Sequence, residues 1–263
     1  MNTMPTTPVS SRSLIYRIAV FGYGVAAYAI GVTALIAVIL TMLGVLPFAG
    51  RPLGPLGFGA GLTLDILLLF IFALQHSAMA RPGFKARWTR VIPAACERST
   101  YVLATGLVLL PMLVLWQPMP EIVWSMENPL LRWSLLGAAV AGWAYLFAAS
   151  FAIDHFELFG LRQVYQALRG LPLASTPFKE RWMYRFDRHP IMTGLLVGIW
   201  VTPTMRLDHL LFAAGSTVYI CIGVHFEERS LRRQWGQQYV DYRKRVGTLV
   251  PTVPTRRSTA DAP

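Results

Sequence analysis

The sequence predicts an all-α fold: a polytopic membrane helical bundle of four spans, followed by a C-terminal helical hairpin and a cytoplasmic amphipathic helix. Three observations carry this. Hydrophobic residues make up 54% of the chain and charged residues only 14%, against about 25% charged in soluble globular domains. The charges avoid long segments rather than alternating through them, which leaves uncharged runs long enough to cross hydrocarbon. The formal charge of +11 comes from Lys and Arg gathered between those runs, the mark of cytoplasmic loops. In a soluble chain that excess would suggest nucleic acid; its placement here argues against it. A single domain over residues 1–250 and a disordered tail over 251–263 fit the length.

Taken in order, Arg12 and Arg17 precede the uncharged run Ile18–Leu43, which is too long for the roughly 7–15-residue core of a signal peptide and reads as a first span. Gly44–Gly61, rich in Gly and Pro with Arg51 as its charge, reads as an external loop. Leu62–Ala80 is the second span, interrupted by Asp65 and by Gln75-His76-Ser77. Arg81, Lys85, Arg87, Arg90 and Arg98 place the next loop inside. Tyr101–Gln117 is the third span, kinked at Pro111. Pro118–Pro129, with Glu121 and Glu127 and no cation, is external, and Trp133–Ile153 is the fourth span. A basic, partly helical cytoplasmic segment follows, holding Arg162, Arg169, Lys179, Arg181 and Arg185. Ile191–Met205 and Leu210–Val224 form the hairpin, with Pro203 near its turn, each arm shorter than the roughly 20 residues a lone span needs. Glu227–Val246 reads as one amphipathic surface helix, with Leu231, Trp235, Tyr239, Tyr242 and Val246 on its apolar face. Both termini fall inside.

Alternating the sides brings the polar clusters Gln75-His76, Asp154-His155-Phe156-Glu157, Arg188-His189 and Glu227-Glu228 to cytoplasmic helix ends. Each has a purely structural reading. His76 could bond a neighbouring helix, Asp154 and Glu157 could be caps, Arg188 and His189 could be interfacial anchors, and Glu228 could pair with Arg232 at i,i+4. Ionisable groups near the membrane are costly, so their coincidence at one depth favours a shared site. Two cationic or titratable groups facing two carboxylates suit a zwitterionic or cationic ligand. Histidine and carboxylate spacings give no metal motif, and neither GxGxxG nor a P-loop occurs. Cys96 and Cys221 lack a CxxC partner and read as unpaired, buried small hydrophobes.

Tyr184, Arg188-His189-Pro190 and Gly194, then Glu227-Glu228, Leu231, Trp235-Gly236, Tyr239, Tyr242, Val246 and Pro251, resemble the C-terminal signature of the isoprenylcysteine carboxyl methyltransferase superfamily. Gln75-His76-Ser77 with Met79-Ala80-Arg81-Pro82, and Asp154–Gln163, resemble the bacterial methanethiol S-methyltransferase branch. The resemblance implies S-adenosylmethionine as methyl donor and a small volatile thiol as acceptor, in a bacterial inner membrane with the active site on the cytoplasmic side. By motif position it places Tyr184, Arg188, His189, Pro190, Glu227, Glu228, Tyr239, Tyr242 and Arg243 around the cofactor. Met192 and Thr193 stand where the family has an aromatic residue. Asp154, His76 and His155 are the candidates for a base that makes the thiolate, the reactive form of a thiol, with Asp154 favoured and His76 as its partner. Gln75, Glu157 and Gln163 are the substrate-side candidates. A larger lipophilic acceptor, or a transporter or assembly factor, would be the other readings.

Overall fold

The computed structural model describes residues 13–48, 54, 56–173 and 180–252. The chain divides into two compact units: Met1–Pro118 with Asp154–Thr176, and Met119–Ile153 with Pro177–Pro263. Arg51, Lys179 and the tail from 253 lie outside the described residues.

In the first unit, α1 (Leu14–Met42), α2 (Phe58–Ala80) and α4 (Glu97–Leu115) are the long helices. The short α3 (Pro82–Trp88) lies between the last two, and α7 (Leu161–Arg169) and α6 (His155–Leu158) complete the unit. The three long helices are largely apolar around their surfaces, so their packing is set by where backbones can come close. A Cβ added at Gly106 of α4 would stand 3.1 Å from the Ile30 carbonyl and 3.3 Å from the Gly31 Cα of α1, so a small residue is required there, as in helix pairs inside membranes. α2 leaves Ile66, Leu67, Phe70, Ile71 and Leu74 exposed, the surface expected of a helix facing lipid. Asp65, which breaks its apolar run, is fully buried and accepts the Gln117 N–H at 2.9 Å. Arg17 donates to the carbonyls of Ala167 and Leu168, satisfying the open C-terminal end of α7. Cys96 is buried with Val20, Ala95, Val164 and Ala167.

The second unit is built on α5 (Pro129–Ile153) against α8 (Pro190–Trp200). A Cβ on Gly194 would lie 2.6 Å from the Gly142 carbonyl, so the two backbones touch. α9 (Leu207–Trp235) and α10 (Gln237–Arg245) follow. Among the described residues five helices are long and apolar enough to cross a membrane, α9 included, while α8 is the short apolar one. The protein is a multi-pass helical membrane protein.

Three expectations are corrected here. The second hairpin arm is not a 15-residue run: α9 continues as one helix through His225 and Glu228 to Trp235, because the charged sequence after Val224 contains no residue that breaks a helix. The amphipathic helix 227–246 is consequently not continuous. Gly236, at φ 55 and ψ −130, turns the chain in a conformation that favours glycine, and α10 folds back so that Tyr239, Tyr242 and Val246 pack with Leu231 and Trp235. The apolar face read from the sequence is real, but it closes on itself. The connections leading into α5 and α9 also pair: β1 (Ile122–Ser125) and β2 (Thr204–Arg206) form an antiparallel ribbon joining Ile122 to Arg206 and Ser125 to Thr204. Finally, Cys221 is exposed on α9, not buried.

Candidate active site

Glu228 organises the second unit's polar cluster. Its Oε1 accepts from Arg188 Nε at 2.9 Å and from Tyr239 OH at 2.8 Å, and lies 3.2 Å from His189 Nε2. Its Oε2 pairs with Arg243 at 2.6 Å. The Glu228–Arg232 surface pair is therefore replaced by a buried one. α9 has to be continuous for this, since only an unbroken helix carries Glu228 to the start of α8, and the turn at Gly236 returns Tyr239 and Arg243 to it.

Arg188 uses its remaining donors on the backbone. Nη1 reaches the carbonyls of Arg243 at 3.0 Å and Val246 at 2.7 Å, and Nη2 reaches the Thr248 hydroxyl. With a side chain only 7% exposed, it fastens the segment after α10 against the start of α8. The Arg188 N–H to Gly247 carbonyl bond at 2.9 Å and the Thr252 N–H to Phe186 carbonyl bond at 2.8 Å extend that seam. Pro190 occupies the first turn of α8, where its fixed φ suits helix initiation. His189, buried, bridges Glu228 and, at 3.5 Å, Glu227. Burial works against its charged form, but the two glutamates outweigh that and raise its pKa above the ordinary value. Glu227 is half-exposed. Tyr242 donates to the Tyr184 carbonyl at 2.6 Å. Burial, with nearby carboxylates, raises the phenols of Tyr184 and Tyr239 well above their usual range. Every residue placed around a cofactor from the sequence thus lies in this one unit, and Arg188, His189, Glu228, Tyr239 and Arg243 meet directly.

The acceptor-side candidates lie in the first unit, in separate hydrogen-bond groups. Asp154 caps α6, accepting the Glu157 N–H at 3.0 Å on Oδ1 and Arg162 at 2.5 Å on Oδ2. Arg162 also binds Glu157 at 3.0 Å. His155 is buried, its Nε2 3.0 Å from the Tyr28 hydroxyl and its ring among Tyr28, Phe156 and Phe159. Burial lowers its pKa, with Asp154 opposing. His76 meets α4 hydroxyls on both sides, Thr105 at Nδ1, 3.2 Å away, and Tyr101 at Nε2. Arg98 stacks on the Tyr101 ring at 5.3 Å and donates to the Leu158 carbonyl at 2.8 Å. Gln75 and Gln163 donate to Met79 Sδ and the Glu157 carbonyl, and each keeps a buried amide oxygen with no hydrogen-bond donor. Sequence reasoning missed Tyr28, Tyr101, Thr105, Arg162 and Thr248. For α4 a signal was present: Arg98, Tyr101 and Thr105 recur at i, i+3 and i+7, one helical face. Among the described residues no three His, Cys, Asp or Glu side chains gather as a metal site would need.

No family model matches the chain, and no solved structure matches it. Curated relatives do. The methanethiol S-methyltransferase 2 of Bradyrhizobium diazoefficiens is 44% identical over 207 residues, covering 79% of this chain and 80% of that protein. The methanethiol S-methyltransferase of Mycobacterium tuberculosis is 47% identical over 193 residues, 73% and 79% of the two chains. Nurim of Pan troglodytes is 33% identical over 208 residues, again 73% and 79%. Identity at that level over about four-fifths of each bacterial relative leaves room for divergence at individual sites but not of family: the chain belongs to the methanethiol S-methyltransferases.

Proposed function

We propose that this protein methylates methanethiol to dimethyl sulfide with S-adenosylmethionine as donor. The identity to relatives bearing that activity in their names carries the reading. The second-unit cluster supports the donor: half-exposed Glu227 beside His189, and Arg243 beside Glu228, offer both signs of charge to a ligand that has a zwitterionic end and a cationic sulfur. When bound, S-adenosylmethionine supplies an electrophilic methyl group on that sulfur. The thiol must lose its proton to react, and the thiolate sulfur then forms a bond to the methyl carbon as the sulfonium bond breaks, its electron pair staying on the donor sulfur.

His76 is the base in this reading. Asp154 is committed to local structure, its Oδ1 capping α6 through the Glu157 N–H and its Oδ2 paired with Arg162. His76 has an imidazole whose two ring nitrogens each meet a hydroxyl that can turn to either role. Purified protein should bind S-adenosylhomocysteine calorimetrically, and cells given methanethiol should release dimethyl sulfide into the headspace. Expression that adds no dimethyl sulfide over the empty host would reject the activity.

The membrane is the bacterial inner membrane, with both termini and the reactive groups on the cytoplasmic side, as the cation-rich loops favour. With Cys96 and Cys221 changed to Ser, an impermeant thiol reagent added outside should label Glu121→Cys and Glu127→Cys. It should not reach Arg87→Cys, Arg169→Cys or Arg233→Cys. The opposite pattern inverts the topology.

A further inference from the structure

Asp187 stands between Phe186 and Arg188 in the segment that leads into α8. It is fully buried. Oδ1 accepts the His189 N–H at 2.9 Å, while Oδ2 is buried and, among the described residues, receives no hydrogen bond. The cations nearest to it in sequence are engaged elsewhere. Arg188 turns to Glu228 and the carbonyls of Arg243 and Val246, and the His189 imidazole lies between Glu227 and Glu228. Burial raises the carboxyl's pKa above the ordinary value; the nearby Thr193 hydroxyl, which donates to the Leu249 carbonyl at 3.1 Å, the His189 N–H and the charges of His189 and Arg188 work against that rise. Among the described residues no ion pair includes Asp187.

A buried carboxylate oxygen without a donor is costly, and native proteins keep such a group where something else completes it. The surroundings indicate what that is. Tyr184, itself buried, feels the charges of both Asp187 and Glu227, and Tyr145 of α5 lies within electrostatic reach of Asp187. A buried carboxylate with an open oxygen attracts a cation by charge. It offers nothing comparable to a neutral thioether.

Building on the donor assignment above, we propose that Asp187 is the counter-charge for the sulfonium of the methyl donor, and that it sets the preference for the cationic donor over its neutral product. Methyl transfer removes the positive charge from the donor sulfur. The product therefore loses the attraction that held the donor, and Asp187 favours exchange of spent for fresh cofactor. Arg188 and Glu228 hold the surrounding frame, whereas Asp187 distinguishes the two ligands.

The test is calorimetric titration of wild type, Asp187→Asn and Asp187→Glu with S-adenosylmethionine and with S-adenosylhomocysteine. Asn keeps a carbonyl oxygen for the His189 N–H while removing the charge. The expected result is a loss of roughly 10- to 100-fold in S-adenosylmethionine affinity in Asp187→Asn, with S-adenosylhomocysteine affinity held within about twofold, and retention of the preference in Asp187→Glu. Should the Asn variant fail to fold, Asp187→Ser asks the same question, since its hydroxyl can still accept from His189. Equal losses for both ligands, or no loss for either, overturn the assignment of Asp187. Failure of the wild type to bind either ligand rejects the donor reading itself, which is a separate outcome.

Discussion

Glu228→Ala is expected to abolish measurable donor binding and to lower the thermal midpoint of the purified protein clearly. The substitution removes the single carboxylate on which Arg188, His189, Tyr239 and Arg243 converge. The Glu228 and Arg188 side chains are only 8% and 7% exposed, so the guanidinium left behind is desolvated and loses its counter-charge. Breaking a buried pair from one side costs about 3–5 kcal/mol. The damage should spread beyond the pair, because Arg188 also holds the carbonyls of Arg243 and Val246. Glu228→Gln keeps the shape and an acceptor for Tyr239, and should fall between Ala and wild type in stability. Glu227→Gln is the comparison that separates fold from site. Glu227 is half-exposed and touches His189 alone among the groups above, so the thermal midpoint should hardly move while donor affinity falls. If Glu228→Ala melts and binds as wild type does, the cluster is neither a structural keystone nor a cofactor pocket.

The second large effect is expected at His76. His76→Ala should retain donor binding and lose about 10²–10⁴-fold in kcat, the range general-base catalysis supplies. Tyr101→Phe leaves the ring under Arg98 but removes the hydroxyl that meets His76 Nε2, and should lose a smaller part of kcat. Both variants should recover with rising pH, since alkaline solution supplies thiolate without a base; the wild type should gain less. Asp154→Asn should turn over at a rate near wild type per folded molecule, with a lower thermal midpoint from the weakened α6 cap and the lost Arg162 pair. The reverse outcome, an active His76→Ala beside an inactive Asp154→Asn, would return the proton-accepting role to the carboxylate.

The four long apolar runs and the basic loops between them determined the membrane class and the order of the helices, because a helix in lipid must satisfy its backbone internally and present a mostly apolar surface. That demand is written residue by residue and needs no tertiary information. The same is true of the Arg188-His189-Pro190 and Glu227-Glu228 clusters, whose cost near lipid marks them as a candidate site. What lay beyond the sequence was direction. Glu227–Val246 shows one apolar face at helical spacing whether the helix runs straight or folds at Gly236, and only the packing of Leu231 and Trp235 on Tyr239 and Tyr242 selects the fold. That choice turns Glu228 from a surface residue into a buried centre. Likewise, periodicity cannot tell a carboxylate that is free to take a proton from one already bonded. Asp154 and Asp187 each follow an apolar or aromatic neighbour and look equally available in the sequence. Tertiary structure gave Asp154 a guanidinium and left Asp187 Oδ2 with none. The reason is physical: composition and spacing fix what must be buried, while the hydrogen bonds formed in the folded chain decide which carboxylate is already paired.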